Sequence, residues 1–96
     1  MRHPKSLTDI GRAALAILET GRKPTIPEVS PLIDAYEQLP GNSVGGSLWF
    51  VLWHGPNLED RYIEACMRDA ERDGDEDGAA LLRVMLRMSM TQRRKL

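Results

Sequence analysis

Ser47-Leu48-Trp49-Phe50-Val51-Leu52-Trp53-His54 is the one stretch that could turn an otherwise helical chain into a mixed one. Aromatic and branched residues in so short an apolar run favour a buried strand. A strand must pair with a neighbour, however, and no second segment alternates apolar and polar residues convincingly. The segment is therefore assigned to a short buried helix over about 44–54, capped by Ser43, with a short strand at 47–54 as the alternative.

Upstream, Leu7, Ile10, Ala14, Ile17 and Leu18 recur at helical spacing, which predicts a helix over about 7–20. Ser6 is its expected N-cap, and Gly21 its stop. Pro24 and Pro27 point to an irregular connection over 22–30. Ser30-Pro31 then reads as a cap and a first helical position, followed by Leu32, Ala35, Tyr36 and Leu39. Pro40-Gly41 ends that helix.

Downstream, Asn57 is the expected cap of a helix ending near Asp73-Gly74, with Glu59 and Asp60 in its first turn. Leu58, Tyr62, Ala65, Cys66 and Ala70 form its expected apolar stripe. A last helix runs from about Asp77 to Met88, with Leu82, Met85, Leu86 and Ser89 on one face. About five helices with short joints predict a small, compact all-α bundle forming a single domain over 1–96.

Ninety-six residues are enough for one core. A net charge of -1 gives no global attraction to nucleic acid or anionic membrane. The single cysteine, Cys66, cannot form an internal disulfide. The longest apolar run, Leu48 to Trp53, is far short of the ~20 residues that span a bilayer. The expectation is a cytoplasmic chain, complete from Met1.

Charge is segregated along the chain. Residues 59–78 hold nine acids against three arginines, whereas 79–96 hold five basic residues and no acid. A solvated helix face laced with pairs such as Glu64 and Arg68 is the ordinary explanation, and an electrostatic docking surface the functional one. Asp73-Gly74-Asp75-Glu76-Asp77-Gly78 matches the first half of a calcium-binding EF-hand loop. The position for the closing bidentate acid falls on Val84, so an interhelical joint capped by Asp75 or Asp77 is preferred and no metal is expected. His3 and His54 do not share a ligand spacing with Cys66, and Gly41 to Gly46 lacks the ending of a phosphate loop. Nothing nominates an acid, base or nucleophile, and no cofactor is expected.

From Pro40-Gly41-Asn42-Ser43-Val44-Gly45-Gly46-Ser47-Leu48 onward, the chain resembles a family of small proteins carried by phage and prophage genomes. The resemblance continues through Val51-Leu52, Asn57, Glu59-Asp60, Cys66, Gly74-Asp75 and Gly78. It closes with Met88-Ser89-Met90-Thr91-Gln92-Arg93-Arg94-Lys95-Leu96 and covers about residues 36–96. Relatives carry more polar residues where this chain has Trp49, Trp53 and His54, so the resemblance carries no catalytic role across. Phage genomes hold many short helical proteins that bind a host complex and block it. The resemblance thus implies a non-enzymatic protein that binds a host bacterial protein in the host cytoplasm, as an anti-CRISPR-like inhibitor of a defence system.

Recognition is expected on Glu59, Asp60, Asp69, Asp73, Asp75 and Asp77, together with Trp49 and Trp53. Charge reversal at Asp69, Asp73 and Asp77 is then expected to abolish binding without unfolding. A homo-oligomer is a further expected state. The alternative function is nucleic-acid binding through Arg83, Arg87, Arg93, Arg94 and Lys95, with the first two and Arg94 along one side of a continuing last helix.

Overall fold

Glycine and side-chain caps divide the described chain into helices. A computed structural model describes residues 7–38 and 59–95. The helices are α1 (Asp9–Glu19), α2 (Ile26–Glu37), α3 (Asp60–Asp73), α4 (Glu76–Leu86) and the single turn α5 (Met90–Arg93). Among the described residues there is no strand, and the all-α expectation holds for them. The segment 44–54, its Ser43 cap and the Asn57 cap lie outside the described residues. No described helix is long and apolar enough to cross a membrane.

α4 is the central element and packs against α1, α2 and α3. Its sequence, EDGAALLRVML, is apolar nearly all round, as a helix enclosed by others must be. Leu81, Leu82, Val84 and Met85 are fully buried, and Arg83 alone of that run reaches solvent. Ile10 and Ala14 of α1, Val29, Ile33 and Tyr36 of α2, and Ile63 and Ala70 of α3 complete the core.

Four boundaries differ from the sequence expectation. α1 takes Thr8 as its cap residue and starts at Asp9. α2 starts at Ile26, not after Ser30, because Thr25 and Glu28 form a capping pair. The Thr25 N–H donates to Glu28 Oε1 at 3.0 Å, and the Thr25 hydroxyl donates to the same oxygen at 2.9 Å. Those bonds, aided by Arg22, hold the Glu28 carboxyl below its usual range. Pro27 falls in the first turn, where a missing N–H costs nothing, and Pro31 lies on the exposed side, where water can serve the carbonyl it leaves unpaired.

α3 starts at Asp60 with Glu59 in the cap position, and its buried face runs through Ile63 and Ala70, with Cys66 and Met67 half-buried. Tyr62 and Ala65 are exposed, so the stripe expected through them is rotated toward Ile63. Finally, the last helix does not continue to the tail. α4 stops at Leu86, and Ser89 restarts the chain as α5 with a capping box to Gln92.

Gly74 ends α3 in the left-handed region at φ 83°. The Asp75 N–H donates to the Ala70 carbonyl at 2.8 Å and the Gly74 N–H to the Glu71 carbonyl at 3.1 Å, a Schellman closure. Gly74→Ala is expected to lower stability by about 1–2 kcal/mol through left-handed strain. A urea melt showing no change would mean that the joint relaxes to another turn.

Candidate functional site

Of the acids that sequence placed on a recognition surface, Asp73, Asp75 and Asp77 lie at the joint between α3 and α4, and the last two turn inward. Asp75 is the N-cap of α4: its Oδ1 accepts from the Gly78 N–H at 2.9 Å, and its Oδ2 accepts from the Tyr36 hydroxyl. Burial and that carboxylate push the Tyr36 hydroxyl well above its usual range, so it stays a donor. Asp77 is buried, and its carboxylate accepts from both the backbone N–H (3.2 Å) and the hydroxyl of Thr8, at the start of α1. A side chain at Gly78 would collide with the Asp75 carboxylate, and one at Gly11 with that of Asp77.

Asp75 and Asp77 therefore leave the partner-binding set. Their carboxylates serve the N-terminal ends of two different helices, Asp75 that of α4 and Asp77 that of α1, and no group of three or more His, Cys, Asp or Glu among the described residues is placed to hold a metal ion. Glu59, Asp60, Asp69 and Asp73 remain at least partly accessible on α3 and its cap. Trp49 and Trp53 lie outside the described residues.

The basic set is also dispersed. Arg93 is buried, bonded through Nη2 to Asp60 Oδ1 at 2.8 Å and through Nη1 to the Met85 carbonyl at 3.4 Å, and thus withdrawn from any nucleic-acid surface. Arg83 is bridged to Glu71. Arg87 donates to the Leu18 carbonyl at 3.3 Å, closing the C-terminal end of α1. Arg94 and Lys95 are exposed on a separate turn, so no single row of arginines forms.

The outward side of α3 is charged and self-paired. Arg61 meets Glu59 at 3.4 Å, Arg68 meets Glu64 at 2.5 Å, and Arg72 meets Asp69 at 2.7 Å. Exposed pairs of this kind add about 0–1 kcal/mol each, so stability does not account for the array. Among these charges stands Tyr62, 46% exposed, with the Arg61 guanidinium 5.0 Å from its ring centre. Sequence reasoning placed Tyr62 in the core. The competing stripe Ile63-Met67-Ala70 was the signal that it faces outward. Burial and the charge of Asp69 push the Cys66 thiol upward, away from the reactive thiolate form.

Among the described residues, two surface grooves flank α4. One, of about 370 Å³, is walled by Leu7 and Leu15 on the α1 side, Glu76, Ala79, Ala80 and Arg83 of α4, and Glu71 of α3. The other, of about 530 Å³, has Leu18, Met67 and Leu86 as its floor and Arg83 and Arg87 at its rim. Neither was foreseeable from spacing, because each is made by helices distant in sequence. No family model, curated protein or solved structure matches the chain.

Proposed function

We propose that the protein acts by binding another protein, without a catalytic step of its own, through the outward face of α3. The observation that carries this reading is Tyr62, held exposed beneath Arg61 on a helix whose other outward side chains, Ala65 apart, are charged. Tyrosine and arginine are the residue types that most often anchor interfaces, and a surrounding charged rim steers encounter and selects partners. The resemblance to small phage and prophage proteins extends the reading to a host bacterial protein, met in the host cytoplasm, and to anti-CRISPR-like inhibition of a defence system.

Nucleic-acid binding is the weaker reading, because Arg83, Arg87 and Arg93 already have partners within the fold. A tagged pull-down from bacterial lysate, with and without nuclease, tests the choice. The expected result is a stoichiometric protein partner that survives nuclease. Tyr62→Ala should weaken its capture by about tenfold or more. Joint reversal of Asp69 and Asp73 to lysine should abolish capture with an unchanged thermal melt. Asp77 is left out of the reversal because it is buried. Capture lost on nuclease treatment would sink the reading in favour of nucleic acid.

A further inference from the structure

We draw no further inference here: the strongest candidate, the groove of about 530 Å³ floored by Leu18 of α1, Met67 of α3 and Leu86 of α4, is an apolar surface whose rim arginines already bond within the fold, Arg83 to Glu71 and Arg87 to the Leu18 carbonyl, and nothing in the structure shows what covers it.

Discussion

Asp77→Ala is expected to lower stability by about 2–4 kcal/mol, and with it the thermal midpoint by roughly 10 °C or more. Asp77 is only 8% exposed, and its carboxylate accepts from both donors of Thr8, 69 residues away in sequence. Removing it breaks two hydrogen bonds to a carboxylate, which water at exposed Thr8 replaces only in part, and takes a negative charge from the N-terminal end of α1, where the helix dipole favours one. Asp77→Asn, which keeps the shape and one acceptor oxygen, should cost about half as much. Gly11→Ala attacks the same contact from the other side. Its methyl would collide with the Asp77 carboxylate and lie 2.9 Å from Leu7 Cδ2, so the carboxylate must move off Thr8. A urea-denaturation cycle of Asp77→Ala with Thr8→Val checks the mechanism. Coupling above about 1 kcal/mol is expected, whereas additive losses would mean that the contact does not tie α1 to α4.

The helix-forming segments were legible because their signals are local. Gly21 and Gly74 mark the ends of α1 and α3, and Asp75 marks the start of α4, each by a rule that needs only neighbouring residues. The capping pair of Thr25 and Glu28 was equally local and still outweighed by Pro27, which reads as a breaker but sits in the first turn. What sequence could not supply is the direction in which a charged side chain points. Asp75, Asp77 and Arg93 look like their exposed neighbours in a string of letters. They are drawn inward by Tyr36, Thr8 and Asp60, which arrive from other helices.

Those inward turns also change the meaning of the segregated charge. The acidic stretch 59–78 and the basic stretch 79–96 imply a strong dipole if each faces solvent. In the fold they answer one another: Asp60 reaches Arg93, and Glu71 reaches Arg83. Two of the nine acids and two of the five basic residues are thus used in joining α3 to α4 and α5. On the outward face of α3 the charge around Tyr62 is a mixed, paired array, which favours a partner selected by pattern over one drawn by net field.

The joint at Arg93 makes the second large effect an asymmetric one: Asp60→Ala is expected to cost about 2 kcal/mol, and Arg93→Met less than about 1. The Arg93 side chain is 3% exposed and that of Asp60 69%. Taking away Asp60 leaves a guanidinium out of water with a long 3.4 Å bond to the Met85 carbonyl and an Nε that has no partner. The loss sits at the low end of the range for a broken buried pair, because water can approach from the exposed Asp60 side. Taking away Arg93 instead removes the desolvated charge and the orphan Nε together, while methionine keeps much of the packing and Asp60 returns to solvent. The double variant should match Arg93→Met alone. If Arg93→Met proves the more damaging change in urea melts, the guanidinium is a better-satisfied core group than its bonds indicate. If it spares stability but weakens DNA binding, Arg93 leaves its pocket to grip phosphate, and the nucleic-acid reading of the tail displaces the protein-binding reading of α3.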